Sequence, residues 1–362
     1  MSSFRFERAE NFNPTLLGRS LCMDFDAVVS AFEEDAEKRT KGALSSYIYD
    51  MPQYPGDPVE GGINYARYVK LPTSFIPQKQ PPLLKQFASV VKKYIRAESS
   101  FFDLGPGPDW SVTRNTIPAL RVLNPLAYFA VDIELTFTEE ACRVIEREFP
   151  DMKVQAIAID FHSKVLPYPQ SGVSVVWYPG STLGNLPSLP GQTFIENKFV
   201  ADHLKLLHRT NSFSQENKES QHYLVILMDS RKDDVNSMIN LYVSPEARGC
   251  FLSILFKLKR DLRANTFKPE SFVYNPQWNE QSSAVEHVFT ALETQEFTIT
   301  DCFTNREAVI KIYEGENYVL ANSIKPSCEE MRAMLINSGW EPLESLRDTE
   351  GQFHIHLALA ST

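Results

Sequence analysis

The chain has 362 residues, 43% of them hydrophobic, which is long and apolar enough for two domains or one with a large insertion and excludes a disordered or fibrous protein. Its formal charge of -10 at pH 7 argues against a nucleic-acid ligand, because neutralising a phosphate backbone requires a positive field. The five cysteines (Cys22, Cys142, Cys250, Cys302, Cys328) are far apart, odd in number and without C-x-x-C spacing, so neither a zinc cage nor a disulfide framework is expected.

The opening "MSSFRFERAENFNP" lacks the apolar core of a signal peptide, and runs such as "YLVILM" fall far short of the ~20 residues that span a bilayer. A cytoplasmic protein with a small-molecule partner, and neither nucleic acid nor membrane, is the expectation. Residues 1 to about 80 are rich in Pro and Tyr and lack a parallel-strand rhythm. From 99 to 230, short apolar strands alternate with polar or helical segments, as in βαβ units. The strands expected are 99–105, 128–133, 154–160, 174–180 and 222–229, and "TEEACRVIEREFP" supplies a helix whose Ala141, Val144, Ile145 and Phe149 recur at helical spacing. The polar segment 212–221 reads as a surface loop. Residues 239–267 read as helix, and the segments from Ala284 to Pro326 alternate as antiparallel strands do. Ser327 and Glu330 form a capping-box pattern for a helix that Gly339 closes, before a final hairpin over "WEPLESLRD" and "FHIHLALA". The pattern implies an α/β fold with 81–229 and 326–362 in the sheet domain and 1–80 and 230–325 in a second, α+β domain.

"SFFDLGPGPDW" runs the first parallel strand into Gly105 and Gly107, where missing side chains let backbone approach a ligand. Two cofactors use this geometry. A nicotinamide dinucleotide calls for G-x-G-x-x-G, but the third glycine's place is Trp110, which weakens that reading. S-adenosylmethionine has no phosphate and calls for acids and an apolar slot. Asp103 precedes the glycines and is expected to reach the methionine ammonium through a water or the local backbone. Asp132 can accept from both ribose hydroxyls, and Asp160 can accept the adenine amine while Phe161 packs on its face. These acids stand at successive strand ends, the edge where open α/β sheets bind ligands.

With "GSTLGNL" at Gly180–Leu186 after the fourth strand, together with "DLGPG", "VDI", "IDF", "LMDSRKD" (227–233), Tyr242 and "GENYVLANSIK" (315–325), the chain resembles the histidine-specific methyltransferase family. The resemblance implies a class I (Rossmann-like) seven-stranded S-adenosylmethionine methyltransferase sheet with an antiparallel last strand, and a substrate domain. It implies Gly105, Gly107, Asp132, Asp160, Phe161 and Gly180 at the cofactor. It also implies Gly180 and Asn185 at the substrate amine or carboxylate, Tyr242 on the carboxylate, and Tyr49 and Tyr65 as pocket walls. Asn185 would position the amine, and no metal is implied.

The chain departs from the family pattern where that pattern holds an imidazole. The acid's place is Ala321, two residues before Ser323; the methionine's is His287; the tyrosine's is Ser74 or Phe75. Without a carboxylate at 321 the acceptor is expected to be an amino acid or amino-acid-derived amine other than histidine. Methyl transfer to nitrogen is an in-line displacement that needs alignment and a deprotonated amine rather than a strong base. Histidine α-N-methylation and a non-catalytic cofactor-binding module remain the alternatives. His354 and His356, alternate residues of one strand, are read as structural.

Overall fold

The computed structural model describes residues 22–95, 98–169, 172–208, 220–232 and 234–361; residues 1–21 and most of the polar 212–221 segment lie outside the described residues. Twelve strands are described. They are β1 (Ser99–Leu104), β2 (Ala127–Asp132), β3 (Lys153–Ala158), β4 (Val173–Tyr178), β5 (Gln221–Asp229), β6 (Phe272–Asn279), β7 (Ala284–Ala291), β8 (Gln295–Thr300), β9 (Glu307–Ile312), β10 (Asn317–Ile324), β11 (Trp340–Arg347) and β12 (Phe353–Ala360).

Seven of these form one sheet in the order β3-β2-β1-β4-β5-β12-β11. Strands β1 to β5 are parallel, and β12 is antiparallel to both its neighbours. The central strands are apolar at nearly every position because both faces are covered. Side-chain alternation sends Phe102, Leu104, Val176 and Ile226 to the face under helices Lys198–His208 and Cys328–Asn337. Phe101, Tyr128, Trp177 and Val225 go to the other face, under helices Ile76–Val91, Ile117–Leu123 and Leu135–Glu148. The capping box at Ser327 and Glu330 forms as expected.

A second core joins residues 22–65 to residues 242–321. Here β10-β7-β6 form a three-stranded sheet and β8-β9 a hairpin, backed by helices Phe25–Ala31, Gly61–Tyr68 and Pro245–Asp261. Gly61 is needed for this packing, since a Cβ there would collide with the Ile48 carbonyl. A buried ion network pins the layer together: Lys257 reaches Asp50 at 3.0 Å and Asp261 at 2.7 Å, and Arg260 reaches Asp57 and Asp261 at 2.7 Å each.

Three expectations are corrected. The helix read over 239–267 is two helices, Val235–Tyr242 and Pro245–Asp261, because Ser244 caps the second through the Ala247 N–H and Pro245 opens it. Strand β6 was not read from the sequence; it carries Pro276, pairs only with β7, and an edge strand tolerates a missing N–H. Cys22 and Cys302, 280 residues apart, are joined as a disulfide where none was expected, and sequence spacing carries no signal for a pair so distant.

Candidate active site

The sheet's direction of growth reverses between β1 and β4, whose following turns lie side by side. A crevice at the carboxyl ends of the strands is the physical outcome, because the loops after these two strands diverge. Gly105, Gly107 and Gly180 adopt φ of 65°, 68° and 73°, the left-handed region open to glycine. Gly105 stands between Thr182 and Asp132, and Gly107 beside Ser111 and the Tyr65 ring.

Two cavities meet here. The first, of about 540 Å³, is lined by Gly105, Gly107, Asp132, Asp160 and Phe161, with Ser46, Ile133, Phe137, His162 and Thr182. Asp132 accepts the Glu134 N–H through Oδ1, and burial pushes its carboxyl up to about 7. Asp160 stands on the loop after β3, two residues beyond the strand's end, and accepts from the His162 N–H and the Ser163 hydroxyl. The first cavity therefore has acids at two points and an aromatic wall, with no lysine or arginine among the described residues that line it to hold a phosphate.

The second cavity, of about 850 Å³, lies within the usual range for a small-molecule site. It is lined by Gly180, Asn185, Tyr242, Ser323, Ser74 and Phe75, and also by Tyr68, Phe251, Asp229, Arg231 and Lys325. Tyr49 and Tyr65 line both cavities and form the wall between them, their rings edge to face at 4.7 Å. Burial holds both phenols above their ordinary pKa, so each is a neutral hydroxyl.

At this wall Asn185 Nδ2 donates to the Tyr49 hydroxyl at 2.9 Å, and the Ser323 hydroxyl donates to Asn185 Oδ1 at 3.4 Å. Gly184 brings these groups together, since a Cβ there would come within 2.5 Å of the Ile324 carbonyl oxygen. His287 shares a hydrogen bond with Ser323 at 3.3 Å through Nε2 and one with Tyr274 at 2.8 Å through Nδ1. The arrangement in which every donor finds an acceptor runs Tyr274 to His287 to Ser323 to Asn185 to Tyr49. Burial depresses the His287 pKa well below the usual imidazole value, so it serves this chain as a neutral ring.

Three expected site residues do not line a cavity. Asp103 points to the opposite face of the sheet from the crevice, where Oδ2 accepts from the Thr116 and Tyr128 hydroxyls at 2.7 and 2.9 Å. Strand alternation explains this, because Asp103 shares its face with Phe101. His287 and Ala321 are register partners on β7 and β10, both fully buried behind the second cavity. His287 stacks on Phe251 at 3.7 Å and touches Tyr242 edge-on at 4.8 Å. Conversely, sequence reasoning named "LMDSRKD" and "NSIK" without seeing that Asp229, Arg231 and Lys325 converge on the second cavity. Two of these end or follow β5 and the third follows β10, so the signal available was their position at strand ends.

His354 and His356 gain a neighbour that spacing did not suggest, Cys328, with one ligand atom from each residue within 4.8 Å of the others. The imidazoles are already engaged, His356 with Ser345 at 2.8 Å and with His354 at 2.7 Å, and His354 with the Pro326 carbonyl at 3.1 Å. Among the described residues no helix is long and apolar enough to cross a membrane.

Residues 26–360 match the family model described as "Histidine-specific methyltransferase, SAM-dependent". A histidine N-alpha-methyltransferase of Mycolicibacterium smegmatis is 22% identical over 339 residues, 92% of this chain and 96% of that protein. One from Mycobacterium tuberculosis is 24% identical over 160 residues, 44% of this chain and 47% of the relative. Among solved structures, an S-adenosylmethionine-dependent methyltransferase from Clostridium acetobutylicum is 12% identical with a TM-score of 0.41, covering 83% of this chain and 99% of that one.

Proposed function

The chain belongs to the histidine-specific, S-adenosylmethionine-dependent methyltransferase family, and on that footing we propose that it methylates the α-amino nitrogen of an amino acid or amino-acid-derived small molecule other than histidine. The observation that carries the proposal is the shared wall: a cavity with acids for a ribose and an adenine meets, at Tyr49 and Tyr65, a cavity where Asn185 offers an amide to an amine. The names of the relatives point to an α-nitrogen as acceptor.

In the first cavity Asp132 would accept from the ribose hydroxyls, Asp160 would take the adenine amine, and Phe161 would cover the ring. In the second, the Asn185 carboxamide, oriented by Tyr49 and Ser323, would fix the amine on the line through the methyl carbon and sulfur. Transfer there would form the N–C bond from the amine lone pair while the C–S pair returns to sulfur, giving a methylated ammonium and S-adenosylhomocysteine. Charge leaves the sulfonium during this step, so the low polarity supplied by Tyr49, Tyr65, Tyr68 and Phe251 favours it over an aqueous setting. Alignment is worth several orders of magnitude in rate, and here it falls to neutral hydrogen-bonding groups.

Histidine is disfavoured because, among the described residues, no free acid faces the second cavity. Ala321 stands, buried, where the family pattern implies a carboxylate, and the cavity's own acid, Asp229, is paired with Arg231 and Lys325. The test is methyl transfer from isotopically labelled S-adenosylmethionine to a panel of amino acids and their alkylated derivatives, read by mass spectrometry. A labelled α-nitrogen on an acceptor other than histidine is expected. Histidine as the best acceptor would refute the specificity, and cofactor binding with no transfer to any acceptor would refute the activity.

A further inference from the structure

Away from the crevice, a third cavity of about 650 Å³ opens between the helices Ile76–Val91 and Ile117–Leu123, a volume ordinary for a small-molecule site. Trp177 lines it from β4. As the register partner of Asp103, Trp177 shares the face of the sheet turned from the crevice. Ala88 and Ala119 line the cavity from the two helices, and side chains this short leave the gap between them open. Half-buried Ala88 and Pro118 and exposed Lys85 stand at its rim, so it is reached from outside.

Trp177 is 1% exposed, and its indole Nε1 finds no hydrogen-bond acceptor among the described residues. A buried donor left unpaired costs about as much as a lost hydrogen bond, and folded proteins hold few of them. Water is a poor remedy here. A buried water needs several polar partners, and apart from Lys85 at the rim every other described side chain lining the cavity is hydrocarbon. An acceptor carried on an apolar body meets both demands. We propose that this cavity binds a neutral, largely aromatic molecule of one or two fused rings, whose single ring nitrogen, carbonyl or ether oxygen accepts from Trp177 Nε1. Phe87 offers such a ring an aromatic neighbour, and the Lys85 charge at the rim works against a cationic ligand. The inference does not depend on which acceptor is methylated.

Each element that walls this cavity runs on to the second one. The first helix begins at Ile76, which lines the second cavity beside Phe75. The other helix continues back through the wide π-helical turn Val112–Thr116 to Ser111, and Ser111 and Asn115 line it as well. Strand β4 leads into Gly180 and Ser181 on the same wall. Ala88 and Ile76 are about 18 Å apart along their helix. A ligand that sets the spacing of the two helices therefore acts at the far ends of both, and its occupancy is expected to change the affinity for the cofactor.

The test is NMR on the isotopically labelled full chain, whose four tryptophans give few indole N–H signals. Trp177→Phe identifies the Trp177 signal by its loss. Quinoline and naphthalene are the probes, since they share a shape and differ in one ring nitrogen that accepts a hydrogen bond. Quinoline is expected to move the Trp177 indole proton downfield in a saturable way and to bind about three- to tenfold more tightly than naphthalene. In Trp177→Phe the two probes should bind within about twofold of each other, and Ala88→Leu, which fills the cavity from its rim, should weaken both by about tenfold or more. Should Trp177→Phe fail to fold, replacing the remaining tryptophans identifies the signal, and Ala88→Leu still localises the binding. A Trp177 signal unmoved at saturating quinoline, as it would be if Asp103 or a water held the indole, overturns the proposal. So do equal affinities for the two probes in the unaltered protein, or undiminished binding in Ala88→Leu. Calorimetry of S-adenosylhomocysteine with and without saturating quinoline reads the coupling: a change of about twofold or more that Ala88→Leu removes is expected, and an identical affinity overturns the link between the cavities.

Discussion

Burial raises the Asp132 carboxyl to about 7, so near neutrality a share of the molecules holds it protonated. Ribose hydroxyls donate to a carboxylate, so in the proposed site the cofactor would select the ionised form. The expected outcome is an S-adenosylhomocysteine affinity that rises as pH passes upward through about 7 and then levels off, measured by calorimetry. Asp132→Asn should bind about 10- to 100-fold more weakly with that pH dependence gone. A wild-type affinity flat or falling over the same range would remove Asp132 from the ribose. For folding the sign is opposite. The native state keeps this proton to a higher pH than the ordinary value of 3.8, so the group's contribution to stability is lost as pH rises from about 4 to about 7. At this scale the strand-end acids Asp132 and Asp160 were legible in the sequence because chain direction fixes where a parallel strand's carboxyl end lies. Asp103 was misread because its side chain follows the pleat to the other face, and alternation with the apolar Phe101 was the cue that would have corrected it. Arg231 and Lys325 were not legible as a pair, since only the close approach of β10 to the turn after β4 brings them to one wall.

Strands β6, β7 and β10 each contribute a member to the hydrogen-bonded chain that ends on Asn185 and Tyr49: Tyr274, His287 and Ser323 respectively. The three-stranded sheet is therefore the mount for the Asn185 amide, and in the proposed reaction His287 would be a positioning residue within it. His287→Phe keeps the ring stacked on Phe251 but breaks the chain at both ends. The expected result is a kcat lower by about tenfold, as the serine and amide lose their fixed orientation, with S-adenosylhomocysteine affinity unchanged. His287→Asn, which restores one donor and one acceptor, should recover part of the rate. Equal losses in cofactor affinity and kcat would mean that the substitution acts through general unfolding. Apolar alternation made β7 through β10 legible, but β6 was hidden by Pro276, whose cost an edge position removes. The break at Ser244–Pro245 had a sequence cue, a capping serine before a first-turn proline, that the continuous apolar pattern on either side obscured.

The sheet layer supplies the glycine bends and the strand-end acids Asp132 and Asp160, while Ser46, Tyr49 and Tyr65 come from the other layer, so the first cavity is enclosed only when the two layers are docked. Tyr49 is followed directly by Asp50, whose carboxylate is held by Lys257 and Arg260 from the helix Pro245–Asp261. The wall between the two cavities is thereby fixed to the core of the smaller layer rather than to the sheet. Ligand that binds only the docked state adds stability by mass action, about 2.7 kcal/mol at a hundred times its dissociation constant, and that gain must extend to every element that docking orders. Hydrogen exchange on S-adenosylhomocysteine binding should therefore slow in residues 45–68 as well as in 105–111, although the former belong to no strand of the sheet. Arg260→Met removes the guanidinium that reaches Asp50, Asp57 and Asp261, leaving Lys257 on Asp50 and Asp261 and leaving Asp57 its bonds from the Gln53 and Val59 N–H groups. It should lower the melting temperature by several degrees, through a loss of about 3 kcal/mol or more, and should weaken the ligand's protection of 45–68 more than that of 105–111. Protection confined to the glycine turn in the unaltered protein would show that the cofactor binds the sheet alone, and the tyrosine wall would then have to close in response to the acceptor.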